Sequence, residues 1–167
     1  MSEDIKINRS IIREIEIAAS IDEAWSAWTT KEGIQSFFAP DCNVDLKVFG
    51  TYEIFFSPDA EPGKRGAEGN RILTVEPYKM FSFTWDAPAY MPHVRKQRTS
   101  VVLKFKKMAE EKTKVFLCHS GWGDGEEWDR AFDYFSAAWD IILKRLLISF
   151  EKGPIDWDKK DYPKKQD

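Results

Sequence analysis

Two cysteines and two histidines are all that 167 residues offer to a soft metal ion. Cys42 and Cys118 lack ligand spacing, and no third His or Cys completes a set with His93 and His119, so no zinc site is expected. Two cysteines also make no disulfide framework. Nothing resembles a glycine-rich phosphate loop running into a helix, and no Ser-His-Asp order or oxyanion signature is present. No cofactor and no metal are therefore expected. No apolar run is long enough to span a bilayer. The Met1–Asn8 segment is polar and mixed in charge, unlike a signal peptide, which makes a reducing cytoplasm the expected compartment. A net charge of −3 argues against a general nucleic-acid binder.

Aromatic residues, by contrast, are abundant: twelve Phe, seven Trp and five Tyr make up 14% of the chain. With 43% hydrophobic and 32% charged residues, the composition is that of a globular domain. The aromatics concentrate in the stretch 124–152. There Trp128, Phe132, Phe135, Trp139, Ile142, Leu146 and Phe150 recur at steps of three and four, the period of one helix face. Leu143 and Leu147 widen the stripe, while Lys144 and Arg145 fall to the polar side. Asp124 as N-cap with Glu127 three residues on reads as a capping box, and Gly153-Pro154 ends the helix. Such a rod is about 40 Å long and needs a broad apolar surface opposite it.

The preceding chain can supply that surface. Residues 10–19 read as a strand with Ile11, Arg13, Ile15 and Ile17 on one face. Arg13 is either an edge arginine paired with an acid or a charge inside a cavity. Ser20 with Glu23 caps a short helix ending at Thr29-Thr30, and a second short helix covers 31–37. Strands are expected over 43–48, 51–56, 70–76, 80–85, 96–107 and 113–119. Between them, 57–69 and 86–95 read as loops, rich in proline and glycine or proline and aromatics. The 153–167 tail is charged. It is expected to be mobile unless Ile155, Trp157 and Tyr162 dock it. Together these elements predict an α+β domain over 1–152: a curved antiparallel sheet wrapped around a long C-terminal helix, with two short helices after the first strand.

Three stretches resemble a known family. They are Ile15–Trp25, Phe49-Gly50-Thr51-Tyr52, and His119-Ser120-Gly121-Trp122-Gly123 followed by Ala138-Trp139 and Leu143–Leu147. The chain from about Ile11 to Phe150 resembles the START-like helix-grip (SRPBCC) superfamily, in the branch named after the activator of the heat-shock-protein-90 ATPase. That family usually carries Gly where Ala138 stands. The resemblance implies a hydrophobic cavity. Relatives bind lipids, sterols, hormones or polyketides, some are cyclases, and some act as co-chaperones linked to stress responses. Fold alone does not choose among these.

Three readings follow. The first is a small hydrophobic or aromatic ligand, lipid-like or polyketide-like, held between sheet and helix. Phe56, Trp85, Trp122, Phe135 and Trp139 would pack on it, and Arg13, Tyr90 or His119 would orient its polar end. Each has a plainer alternative: the helix aromatics as ordinary core, Trp85, Tyr90, His93 and Trp122 as loop clamps, His119 as a satisfied core histidine. The second reading is a protein-interaction module, with a chaperone, another protein or a second copy in a homodimer as partner. The eukaryotic activators carry an additional N-terminal domain without counterpart here, which argues against a direct co-chaperone role. A cyclase- or hydrolase-like enzyme ranks third, because only His119, Arg13, Glu53 and Asp86 could serve as acid–base groups. The basic residues Arg95, Lys96 and Arg98 meet either an acidic partner or only solvent.

Overall fold

A computed structural model describes residues 9–164; the Met1–Asn8 segment, and with it the signal-peptide question, lies outside the described residues. The elements run β1 (Ile11–Ile17), α1 (Ile21–Thr29), α2 (Lys31–Phe37), β2 (Asp41–Val44), β3 (Tyr52–Phe55), β4 (Gly66–Ala67), β5 (Ile72–Glu76), β6 (Met80–Trp85), α3 (Pro92–Gln97), β7 (Thr99–Ala109), β8 (Lys112–Ser120) and α4 (Glu126–Lys152). One sheet has the order β1-β8-β7-β6-β5 and a second the order β2-β3-β4, all neighbours antiparallel. The two meet where Thr51 bridges Arg71, where Tyr52 N–H donates to the Asn70 carbonyl and where Ile72 N–H donates to that of Gly50, both at 2.9 Å. This is the expected α+β helix grip.

Alternation decides which side of the wall is inside. Phe81, Phe83 and Trp85 of β6, Val101, Leu103 and Phe105 of β7, and Val115, Leu117 and His119 of β8 are all buried. On α4 the buried residues are Trp128, Ala131, Phe135, Trp139, Ile142, Leu143, Arg145 and Leu146, so the rod lays its aromatic stripe on that face. The capping box of Ser20 and Glu23 forms, and α1 and α2 begin and end where expected. Trp25, Trp28, Phe37 and Phe38 from this pair fill the space beside the rod with edge-to-face and stacked ring contacts.

Four expectations need correction. The α4 N-cap is Gly125 at φ 120°, not Asp124. Glu127 leaves the capping role because its carboxylate accepts the Val94 backbone N–H of α3 at 2.6 Å. The strand expected over 43–48 runs from Asp41 to Val44. Beyond it Lys47 N–H bonds back to the Asp45 carbonyl and Gly50 N–H to that of Lys47, leaving Leu46 and Val48 exposed. A Cβ on Gly50 would lie 2.0 Å from the Asp45 carbonyl oxygen, so this reversal requires glycine. The two long loops each contain an element: β4 in one and α3 in the other, with Pro92 opening α3. Finally, the tail is docked as far as Pro163, whose carbonyl accepts from Arg145 Nε. Ile155 N–H donates to the Ser36 carbonyl at 2.9 Å, and Trp157 Nε1–H to that of Gln35 at 2.7 Å.

Candidate functional site

Between α4 and the wall lies a cavity of about 500 Å³, open on one side. Its α4 side is a single row, Tyr134, Ala138, Ile141 and Arg145, spaced i, i+4, i+7, i+11, flanked by Phe135, Trp139 and Ile142. Opposite stand Trp85 at the end of β6 and the 86–89 segment that follows it. Phe56 and the 63–67 segment form the mouth, and Phe38 closes the remaining side. The floor is aromatic. Trp85 and Trp139 lie 5.7 Å apart at 34°, with Phe38 tilted against them at 5.9 and 6.1 Å.

A hydrogen-bonded chain beneath the floor ties the two tryptophans together. Trp139 Nε1–H donates to His119 Nδ1 at 2.9 Å. Nδ1 is therefore the unprotonated nitrogen, and Nε2–H donates to Thr99 Oγ1 at 2.6 Å. The Thr99 hydroxyl in turn donates to the Trp85 carbonyl at 3.3 Å. His119 is fully buried, and burial brings its pKa down to about 3. A second proton would have to enter against the Trp139 N–H. His119 thus stands as a neutral strut, with Trp122 Nε1–H donating to its backbone carbonyl at 2.9 Å.

At the mouth an ion-pair cluster fixes the loop. The Asp86 carboxylate meets Arg95 Nη1 at 2.9 Å and accepts from Asn70 Nδ2 at 2.9 Å and from the Glu68 backbone N–H at 3.2 Å. Burial raises the Asp86 pKa, while these partners and Arg98 pull the other way. Arg95 also donates to the Gly63 and Gly66 carbonyls and to Glu68, stitching the 63–68 segment to the end of β6. Among the described residues no group of three His, Cys, Asp or Glu is arranged to hold a metal ion.

Of the residues expected at the site, Phe56, Trp85, Phe135 and Trp139 line the cavity. His119 and Trp122 lie behind the floor. Tyr90 is 68% exposed, its ring edge-on to Tyr134 at 6.5 Å, so it stands outside the rim. Arg13 is not inside. Its Nε meets Asp140 at 2.6 Å and its Nη2 donates to the Ser136 carbonyl at 2.9 Å, because β1 runs along the outer flank of α4. The sequence reading missed Phe38, Tyr134 and Arg145. Arg145 continues the i, i+4, i+7 row, and that period was the available signal; its charge assigned it to the polar face instead.

The geometry has counterparts. A sequence profile described as Activator of Hsp90 ATPase homolog 1-like protein matches residues 18–151. No curated protein matches this sequence. The solved structure of protein MLL2253 from Mesorhizobium loti is similar at a TM-score of 0.68 and 19% identity, over 88% of this chain and 100% of that one. The Aha1 dimer from Colwellia psychrerythraea is similar at 0.64 and 20%, over 87% and 98%. PFC0360w, an HSP90 activator from Plasmodium falciparum, is similar at 0.63 and 16%, over 87% and 97%. At these identities the likeness shows the fold.

Proposed function

This chain belongs to the family of Activator of Hsp90 ATPase homolog 1-like proteins, and we propose that it binds a small apolar or aromatic molecule between α4 and the sheet. The observation that carries this reading is the hollow of about 500 Å³ floored by Trp85, Trp139 and Phe38, in a chain whose remaining interior is packed with aromatic rings. An apolar space of that size suits a compact organic ligand. Burying apolar surface there contributes about 25 cal/mol per Å². Tryptophan faces stack on flat or alkyl groups alike. The His119 strut serves binding indirectly: it holds both tryptophans in place, so little ordering remains to be done when a ligand arrives. His119 has no ring nitrogen left for a substrate proton, which sets the acid–base reading below the binding one.

Titration with N-phenyl-1-naphthylamine tests this. The wild type should give a saturable fluorescence increase with one site per chain. Ala138→Trp, which projects a ring into the hollow from a half-buried position, should abolish it while leaving stability nearly unchanged. No saturable increase, or equal binding by Ala138→Trp, would count against the proposal.

A second reading, an interaction surface, draws on a different face. Ile12 is 68% exposed and shares a shallow depression with Val102, Phe116 and Cys118 on the outer side of β1, β7 and β8. A dimeric relative and an HSP90-activating one make association with a second copy or another protein the alternative. Sedimentation of wild type and Ile12→Glu tests it: a dimer lost in the variant supports it, and a monomer in both excludes self-association.

A further inference from the structure

The charge on the cavity lining is mostly positive. Lys64, Arg65, Arg95 and Arg145 stand on it against the single carboxylate of Asp86, in a chain whose net charge is −3. Arg95 is occupied by Asp86 and Glu68, and Lys64 lies 3.9 Å from Glu61. Arg65, half-buried, donates its Nε to the Ala60 carbonyl at 3.0 Å, and Arg145 is the most deeply buried of the four. It is only 8% exposed, and no carboxylate among the described residues pairs with it. Its Nε donates to the Pro163 carbonyl at 2.6 Å and its Nη1 to the Phe38 carbonyl at 3.2 Å. A guanidinium has five N–H groups, and no acceptor among the described residues takes the other three. The Tyr162 and Trp157 rings hold the group in place from 4.9 and 5.5 Å. Burial lowers the pKa of Arg145, yet a guanidinium remains charged at neutral pH. Carbonyls and ring faces offset part of the cost of burying this cation, and an anion on its remaining N–H groups would offset more.

We propose that Arg145 is the anion-recognising residue of the cavity and that the ligand is an apolar monocarboxylic acid, its body on the Trp85–Trp139 floor and its carboxylate on the free N–H groups of Arg145. This deepens the proposed binding function and rests on it. Arg145 lies about 16 Å along α4 from Tyr134, at the C-terminal end of the lining row. An acid placed there runs its body toward Tyr134. The planar fork fits a carboxylate in two parallel bonds, which a lysine cannot reproduce. The dedicated scaffold of Tyr162, Trp157 and Pro163 presents that fork at a fixed angle.

Displacement of N-phenyl-1-naphthylamine by dodecanoate and dodecanol, and by naphthalene-2-carboxylate and 2-naphthol, tests the inference at neutral pH. In the wild type at least one acid should beat its alcohol by about tenfold or more, the worth of a charge-assisted hydrogen bond. Which pair shows the preference separates alkyl from aromatic bodies. Arg145→Gln should bind acid and alcohol alike, and Arg145→Lys should recover only part of the preference. Trp157→Ala keeps the guanidinium but loosens its scaffold, so it should lower the preference without abolishing it as Arg145→Gln does. Displacement by both members of each pair equally in the wild type, or a preference surviving in Arg145→Gln, overturns the carboxylate assignment and leaves the cavity-binding reading standing. Displacement by none of the four overturns both.

Discussion

Acidification should weaken this protein through His119. In the folded chain the ring is neutral, wedged between the Trp139 N–H and the Thr99 hydroxyl, and resists protonation down to about pH 3. In the unfolded chain it takes a proton near the ordinary value of 6.5. The unfolded state therefore binds more protons between those values, and stability rises with pH across that window. The contribution is fully present above about pH 6.5 and is lost as pH falls toward 3. From about pH 7 to about pH 5 the loss from this residue is about 2 kcal/mol. Urea unfolding followed by tryptophan fluorescence measures it. His119→Gln should be less stable than wild type at neutral pH, because the Trp139–Thr99 link is broken, but its stability should fall less on acidification, by about those 2 kcal/mol. Carboxylates such as Asp86 titrate in both proteins and cancel in the comparison. Parallel pH curves for the two would refute the strut.

Trp139→Phe keeps an aromatic ring, though a smaller one, and leaves His119 Nδ1 without its donor; it should cost about 1–3 kcal/mol in urea unfolding. Asp86→Asn leaves Arg95 with Glu68 as its remaining carboxylate partner among the described residues and should cost about 1–3 kcal/mol, with protease cleavage appearing first in the 57–69 segment it anchors. Burial pushes the Cys42 thiol up to about 11, so a disulfide-exchange reagent at neutral pH should label Cys118 alone in the native protein and both thiols in urea.

Much of the architecture was legible because it rests on period. The alternation of β6, β7 and β8, the rod of α4, and the Ser20–Glu23 box are local patterns whose burial follows directly. What was not legible depends on contacts between distant segments. Glu127 has the right spacing for a cap but its carboxylate serves the Val94 N–H of α3 instead. Leu46 and Val48 have strand parity, yet the turn at Gly50 lifts them out of pairing. The tail carries too few apolar residues to predict docking, and its partners lie on distant elements: the Ser36 and Gln35 carbonyls, and the Arg145 cation under its Tyr162 and Trp157 rings. Arg145 itself was hidden by its charge, since binary patterning assigns a charged residue to solvent even where helical period places it with Ala138 and Ile141. Arg13 shows the reverse: its apolar parity suggested an interior cation, but at the flank of α4 it reaches Asp140 instead.

The measurement closest to the central claim is a nitrogen-15 NMR titration of the protein with N-phenyl-1-naphthylamine. The account predicts saturable shifts, fitted by one site, at the backbone amides of Ala138 and Ile142 and at the Trp139 indole N–H, with Ile12 and Phe116 unmoved. Shifts confined to the outer strands, or none at saturating dye, would contradict it.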